Sequence, residues 1–519
     1  MSVLKSTAVV GAFTLLSRIT GFVRDAFMLA LLGASPLLDA FIIAFKFPNF
    51  FRRISAEGAF SAAFIPLYAG ISATQSQQTA QDFARQAFTI MGLLLLGFVC
   101  AFELFTPALM KVFAPGFKDT PERLEMAISF TRITFPYILL ISLSSLMGGV
   151  LNTLGKFAAW SAAPLLLNIL MIASLLLLSP FVSNQGTALS WGVLSAGIAQ
   201  FLLLWLVLAR VQSPLYPIRP RITRGIKTLF SKMLPGIIGA GVFQINVFVD
   251  IWIGSFLAVG SLTYLHAADR LNQLPLSVIG IAISTAFLPT LSKLFQTQQH
   301  EKAQAQFTQA LSYALILTLP AACALFILAH PIAKVLFERG AFTSADTLAT
   351  AHTLQAFVVG LPAYVLAKVL STGFFARQNT ITPVRIGCMC VGVNFTLNIF
   401  FMFQTSLGYV GIALATALSS WVNVLFLSIR LNKDHIHVFT RPIGLVVGKI
   451  IGACATMLLV LQLALAPLKP LVFHHQGIWP WALLFALVAL GLLSYFVCAH
   501  LIKLLDLKTI YQRARGRRK

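Results

Sequence analysis

The sequence predicts an all-α, polytopic membrane protein of about 14 transmembrane helices, built as two six-helix lobes in parallel pseudo-symmetry plus two extra C-terminal helices. Three observations predict it. Hydrophobic residues make up 58% of the 519-residue chain and charged ones only 10%, with a mean hydropathy of +0.86. A water-soluble surface of this size needs far more charge. Apolar runs of about twenty residues, long enough to cross ~30 Å of hydrocarbon, recur along the chain. The sequence also repeats itself once.

Hydrocarbon offers backbone groups no partners, so runs of this length read as helices, whereas barrel strands would be shorter and would alternate. The first run, 5–32, looks superficially like a signal peptide, but it has no evident cleavage site and is interrupted by Arg18 and Arg24, so it reads as a retained span. The second, 37–68, contains Pro48. The spans at 84–113, 124–150, 158–181 and 187–210 complete a first set of six. After a basic linker come 228–257 and 262–292, the latter bent at Pro275, then 305–336, 347–374, 384–404 and 408–430. The last two are 443–466 and 479–504.

Net charge is +23. In a soluble protein that balance would suggest nucleic acid, but here the cations gather in alternate loops. Arg210, Arg219, Arg221, Arg224, Lys227 and Lys232 lie between spans six and seven with no acid among them. Arg430, Lys433 and Arg441 follow span twelve, and Arg513, Arg515, Arg517, Arg518 and Lys519 are in the tail. Loops 182–190 and 404–409 carry no charge. Cytoplasmic loops concentrate Lys and Arg, so both termini are expected in the cytoplasm, as an even number of spans requires. The six cysteines all lie in apolar spans and read as small buried hydrophobes. Asp434-His435-Ile436-His437 reads as a solvated loop rather than a metal site.

The repeat is carried by ordered matches. Ala59-Phe60-Ser61-Ala62-Ala63-Phe64-Ile65-Pro66 returns as Ala282-Ile283-Ser284-Thr285-Ala286-Phe287-Leu288-Pro289, 223 residues later. Pro107 matches Pro331 at 224, and Pro136 and Asn168 match Pro362 and Asn394 at 226. A near-constant offset defines a unit of six spans. An even number of spans gives both copies one orientation, so the lobes are expected about an axis along the membrane normal with a pathway between them. The expected divisions are 1–210 for the first lobe, 211–227 for the linker, 228–430 for the second lobe, and 431–519 for the last two spans and the tail.

Charge inside a membrane costs ~2.5–3.5 kcal/mol per group on insertion scales, so it marks function or pairing. The first lobe holds Arg18, Arg24, Lys46, Arg52 and Arg53 against Asp25, Asp39 and Glu57. At 100° per residue Asp39, Lys46, Arg53 and Glu57 share a face with Asn49 close by, and Arg52 lies nearer Asn49. Pro48 disturbs the phase, so helical geometry leaves Arg52 and Arg53 open. Arg18 and Arg24 do not share a face on a straight helix, and a break at Gly21 would reconcile them. In span eight His266, Arg270, Gln273 and Ser277 form one polar stripe, with Asp269 beside Arg270. Asp25 with Arg24, and Asp269 with Arg270, are candidate ion pairs, but the whole set keeps a cation surplus. A cation-rich cavity wants an anion, and arginine's planar fork suits phosphate. Asp250, Asn394 and Asn398 form a candidate metal-cation site, for which polar glue between helices is the competing reading. No phosphate-cradling loop and no His-Glu-x-x-His is present, so no enzyme and no cofactor are expected. Sodium, protons or the membrane potential are the candidate energy sources.

Four stretches carry a family resemblance. They are Ser17-Arg18-Ile19-Thr20-Gly21-Phe22-Val23-Arg24-Asp25, Asp39-Ala40-Phe41, Phe47 to Arg53 running into Ala56-Glu57-Gly58-Ala59-Phe60-Ser61, and Ala268-Asp269-Arg270-Leu271. On these the chain resembles the MurJ (MviN) lipid II flippases of the multidrug/oligosaccharidyl-lipid/polysaccharide exporter superfamily. The resemblance covers essentially the whole chain, and Asn49 to Pro66 is its most specific part. It implies alternating access by a V-shaped cavity in the bacterial inner membrane, and a groove for a lipid tail formed by the last two helices. The implied substrate and partner is lipid II, a polyprenyl diphosphate carrying a disaccharide-pentapeptide. The chain would work among membrane lipids, as a monomer and without nucleic acid. It implies substrate-binding roles for Arg18, Arg24, Asp39, Asn49, Arg52 and Arg270, choosing Arg52 over Arg53. Ser17, Asp25, Arg53, Glu57, His266, Asp269 and Gln273 would support them. Gln273 stands where the family often has glutamate, which weakens a proton-linked role there. The rival readings are a related polysaccharide or multidrug exporter and a membrane enzyme acting on polyprenyl phosphates. The arginine surplus disfavours a cation-drug exporter. The basic loops, which lack acidic metal clusters, disfavour the enzyme.

Overall fold

The computed structural model describes residues 3–53, 60–438, 440–474 and 477–504. Its helices in chain order are α1 (Val3–Leu32), α2 (Pro36–Phe51), α3 (Phe60–Thr74), α4 (Gln77–Phe113), α5 (Pro121–Thr134), α6 (Tyr137–Thr153), α7 (Phe157–Ala173), α8 (Gln185–Arg210) and α9 (Arg224–Gly254). The second half has α10 (Ser261–Pro275), α11 (Ile281–Gln296), α12 (His300–Phe337), α13 (Ser344–Val359), α14 (Leu361–Phe375), α15 (Ile381–Gln404), α16 (Gly408–Lys433), α17 (Arg441–His474) and α18 (Trp479–Leu501). No strand occurs among the described residues. The described residues of all fourteen predicted spans fall on these helices or the short turns that extend them. Eleven spans are long and apolar enough to cross a membrane among the described residues. The other three, on α1, α2–α3 and α9, each carry intramembrane charge (Arg18, Arg24 and Asp25 on α1, Asp39 and Lys46 on α2, Asp250 on α9), as does α10 with Asp269 and Arg270.

Proline and glycine decide where a span is cut. Pro136 separates α5 from α6, and at the matching place Gly360 and Pro362 separate α13 from α14. Pro275 ends α10, and a π-helical turn over Leu276–Gly280 leads into α11. Prolines free carbonyls one turn back, and a π-turn absorbs the mismatch. The repeat is therefore visible in helix architecture: α4 and α12 are the two longest helices, each with its proline (Pro107, Pro331) near the same point. The expected break at Gly21 is absent. α1 runs unbroken through it, and the glycine instead admits Asn168 of α7, whose Nδ2 would lie 3.4 Å from an added Cβ.

By packing, the chain divides into Met1–Thr263 and Tyr264–Lys519, the cut falling in the first turn of α10. In the first unit α1 packs on α7, α2 on α5 and α8, and α9 on α3 and α4. Span seven, which the repeat assigns to the second half, is thus held by the first unit. Close approaches need glycine there. A Cβ at Gly186 of α8 would come within 2.4 Å of Phe130 of α5 and 2.5 Å of Leu37 of α2. In the second unit α12 is the hub for α13, α14 and α17, α15 pairs with α16, and α17 with α18. Large apolar side chains such as Leu104, Leu177, Phe403 and Leu463 stay more than half exposed, as a lipid-facing surface requires. Cys100 and Cys388 are also exposed, so the expectation of six buried cysteines fails for these two, while all six remain free thiols.

Candidate functional site

α1 parts its two arginines as an unbroken helix must. Arg18 is exposed, and Arg24 is only 5% exposed. Arg24 is held on three sides. Its Nη2 and Nε donate to Asp25 Oδ1 at 2.6 and 3.0 Å, and its Nη1 donates to Asn168 Oδ1 at 3.0 Å. The guanidinium also sits 5.7 Å from the centre of the Phe45 ring. Asn168 returns its own Nδ2 to the Ser17 carbonyl at 2.9 Å and to Thr20 Oγ1 at 3.2 Å. The pairing of Arg24 with Asp25 is thus present, and Asn168 locks α1 to α7. Sequence reading found Asn168 only as half of a repeat. Its counterpart Asn394 in the second unit ties its helix to the following one instead, donating to Thr416 Oγ1 on α16 at 3.3 Å.

Asp39 departs from the face drawn for it. Its carboxylate is wholly buried and accepts four hydrogen bonds: from Arg123 Nη2 (3.1 Å), Gly260 N (2.8 Å), Thr263 N (3.0 Å) and Thr263 Oγ1 (2.8 Å). A carboxylate at the first amides of α10 completes donors that a helix start leaves open and faces the positive end of its dipole. Arg123, itself 5% exposed, stacks 4.1 Å from the Phe117 ring centre. The same turn is anchored again at Gly116, whose N–H donates to Ser255 Oγ at 3.0 Å and whose added Cβ would strike the Ser255 carbonyl at 2.4 Å. Asp39 is therefore a clamp on the turn 255–263, with its acceptor sites filled. Arg123 was not a sequence candidate. It stands one turn into a helix behind Pro121, where it reads as an ordinary border cation, and only the fold brings it to Asp39.

Asn49 Nδ2 donates to the Phe45 carbonyl at 3.0 Å, and its Oδ1 accepts from Arg52 Nε at 3.3 Å. Arg52 is half-buried and Arg53 exposed, so geometry separates the two that helical phase left open. Glu57 lies outside the described residues, as do the tail cations from Arg513 to Lys519.

In the second unit His266, Asp269, Arg270, Gln273 and Ser277 are all half-buried on α10 and its π-turn. Asp269 accepts a hydrogen bond from Gln273 Nε2, and Ser277 donates to the Gln273 carbonyl. Gln273 therefore braces the acid beside Arg270. The three residues offered as a cation site divide between the units. Asp250 belongs to the first, while Asn394 and Asn398 are buried in the second, where Asn398 Nδ2 donates to Asn394 Oδ1 at 3.0 Å within α15. The link between helices that the competing reading calls for is the one from Asn394 to Thr416 on α16. No cluster of three metal-ligating His, Cys, Asp or Glu side chains occurs among the described residues. Asp434, in the loop read as solvated, accepts from Arg377 at 3.1 Å.

The second unit also holds an apolar groove of about 270 Å³, lined among others by Ile316, Pro320, Leu328, Met457, Leu487 and Tyr495 from α12, α17 and α18.

Comparison with known proteins agrees with this architecture. The family model described as lipid II flippase MurJ matches residues 28–476. The chain is 33% identical to the probable lipid II flippase MurJ of Rickettsia prowazekii over 98% of this chain and 99% of that one. It is 39% identical to that of Rhizobium meliloti over 88% and 86%. Among solved structures it is similar to a lipid II flippase MurJ in an inward closed conformation, with a TM-score of 0.79 and 28% identity over 95% of this chain and 98% of that one. A multidrug-resistance MATE transporter of the MOP superfamily in an inward-facing conformation shares the fold, at a TM-score of 0.67 and 14% identity over 83% and 98%. With a family match over most of its length and relatives above 30% identity end to end, this chain belongs to the MurJ family of lipid II flippases.

Proposed function

We propose that the chain flips lipid II, the undecaprenyl-diphosphate-linked peptidoglycan precursor, from the cytoplasmic to the periplasmic leaflet of the bacterial inner membrane by alternating access. The observation that carries this reading is end-to-end similarity to lipid II flippases in a chain that keeps guanidinium groups on its membrane-spanning helices. Arg18, Arg24, Arg52 and Arg270, with Asn49, recognise the diphosphate, which wants planar, bidentate donors. Asp39 acts through the turn it holds. The apolar groove takes the polyprenyl tail, in keeping with its uniformly apolar lining. Binding the diphosphate shifts the population between inward and outward states, because only differential affinity can move such an equilibrium.

Both termini lie in the cytoplasm, a reading supported by the alternation of basic and uncharged loops. The chain works as a monomer, as a transporter without a chemical step. An anionic headgroup leaving a negative interior gains ~2.3 kcal/mol per charge per 100 mV, so the membrane potential assists export. Sodium or proton coupling adds to this if Asp250, Asn394 and Asn398 respond to the ion.

The test is the appearance of lipid II at the outer face of reconstituted vesicles. The intact chain is expected to expose it, and alanine at Arg18, Arg24, Arg52 and Arg270 together to abolish exposure. Arg→Lys at Arg18, Arg52 or Arg270 should also impair it, since a point charge lacks the fork. Undiminished exposure in the quadruple variant overturns the reading. Rate independence from an imposed potential removes the electrical part alone.

A further inference from the structure

The linker between spans six and seven is built, not slack. Residues 212–223 belong to no helix or strand. Pro214, Pro217 and Pro220 recur at every third position, the period of a polyproline II helix, whose backbone makes no internal hydrogen bonds and must find partners elsewhere. One side of α4 supplies them, at the i, i+4, i+5 and i+8 positions Gln81, Arg85, Gln86 and Thr89. Gln81 Nε2 donates to Gln212 O at 3.2 Å and Ser213 Oγ at 2.9 Å. Arg85 Nε donates to Pro214 O at 3.3 Å, and its guanidinium lies 4.3 Å over Tyr216. Thr89 Oγ1 accepts from Ile218 N at 3.0 Å. The Gln86 side chain donates to Arg219 O at 3.4 Å and accepts from Arg221 N at 2.8 Å. Gly225 closes the seam, with only 3.2 Å between an added Cβ and Phe83.

This strap displays one chemistry. Arg219, Arg221, Arg224, Lys227 and Lys232 are all exposed, Ile222 stands among them at 73% exposure, and no acid occurs from 210 to 232. Thr89 lies inside the predicted third span, so the strap sits at the level where acyl chain gives way to headgroup. Sorting by positive loops requires cations near the span ends, but not a fixed backbone. The second half repeats the clasp with a smaller surplus. Gln304, 223 residues after Gln81, holds His437 by its carbonyl (2.7 Å) and N–H (3.0 Å). There one acid stands among the cations, Asp434 meeting both Arg377 and Arg430 at 3.1 and 3.6 Å, whereas the first linker has none. The first linker's unbalanced charge is therefore not a by-product of the clasp.

We propose that the strap, residues 212–232, is a binding site for the phosphate headgroups of anionic phospholipids in the leaflet it faces, separate from the diphosphate path. Guanidinium groups at fixed spacing meet phosphate oxygens while Ile222 enters the acyl boundary. That this leaflet is the cytoplasmic one rests on the orientation proposed above.

The experiment uses the full chain in nanodiscs of phosphatidylethanolamine with a minor share of phosphatidylglycerol, measuring the phosphatidylglycerol retained after mild delipidation. Arg219→Gln, Arg221→Gln and Arg224→Gln together should lower retention by at least about threefold, since each cation at an anionic surface adds its own attraction. Gln86→Ala removes no charge and should also lower retention, because the strap loses two of its backbone partners. The triple Arg430→Gln, Lys433→Gln, Arg441→Gln, which removes the same charge from the other loop, should leave it unchanged. Melting temperatures close to the parent's certify that each variant is folded. Should one strap substitution prevent folding, single Arg219→Gln and Lys227→Gln variants serve in its place. Equal losses from both triples, or no loss from Gln86→Ala, overturn the proposal in favour of charge that serves topology only. Preference for an acidic peptide such as polyglutamate over phosphatidylglycerol vesicles also overturns it, in favour of a protein partner. None of these readouts depends on orientation. Labelling Ile222→Cys from one side of intact spheroplasts tests that separately.

Discussion

Replacing Asp39 by alanine should free the turn 255–263 while leaving the rest of the first unit folded. Four donors converge on this carboxylate, two of them the backbone N–H groups of Gly260 and Thr263. Each buried donor left without an acceptor costs ~1–3 kcal/mol, so the local opening of the turn should become easier by about 3 kcal/mol. At ~1.4 kcal/mol per decade that is roughly a hundredfold faster hydrogen exchange at these two amides. Exchange measured by mass spectrometry on a peptide covering the turn gives the answer directly. The substitution also strands Arg123, whose side chain is 6% exposed, and breaking a buried pair from one side costs ~3–5 kcal/mol. Adding Arg123→Met should therefore recover much of the lost melting temperature without restoring protection at Gly260 and Thr263, which still lack their acceptor. Unchanged exchange in Asp39→Ala would refute the clamp. Recovery of both quantities in the double variant would show that stranded charge, not the lost acceptor, controls the turn.

Three further predictions follow from the packing of the first unit. Gly186→Ala should lower stability by ~1–3 kcal/mol, as overpacking does, because rings and methyls from α5 and α2 fill the space; thermal unfolding in detergent measures it. Gly21→Ala should change the melting temperature and lipid II exposure little, since the new Cβ meets Asn168 at ordinary contact distance in a continuous helix. A hinge at that glycine would make the same change deleterious. Asn168→Leu should cost ~1–3 kcal/mol by removing an acceptor of Arg24 and the α7 donor to the Ser17 carbonyl. Asn168→Asp should do less damage, because it keeps an acceptor for the guanidinium.

Where sequence reading erred, the errors share one cause. Helical phase placed Asp39 with Lys46 and Arg53. The acid instead met Arg123 and the α10 amides. A wheel or a neighbour in sequence knows only its own helix, and a buried carboxylate goes where the most donors converge. Arg24 with Asp25 succeeded because both partners lie on one helix and burial leaves them no other water-like environment. Asn168 was legible as half of a repeat, and the two halves do spend their asparagines on the same task, tying the fifth span to a neighbour. Gly21 was misread because a glycine inside a span has two uses, bending and close approach, and only the neighbour across the contact tells them apart.

By itself the sequence determined the fold class, the number and order of the spans, the doubling of a six-span unit and the places where proline cuts a helix. Those follow from solvent and backbone: hydrocarbon forces every apolar run into a helix, and proline interrupts the ladder wherever it falls. Only the tertiary structure decided which cation is spent on which acid, that Asp39 holds a turn, that α9 packs with the first unit, and that the basic linker is pinned along α4. These depend on contacts between residues some 80 to 220 positions apart, and pairing energy is set by distance in space, which composition and periodicity do not contain.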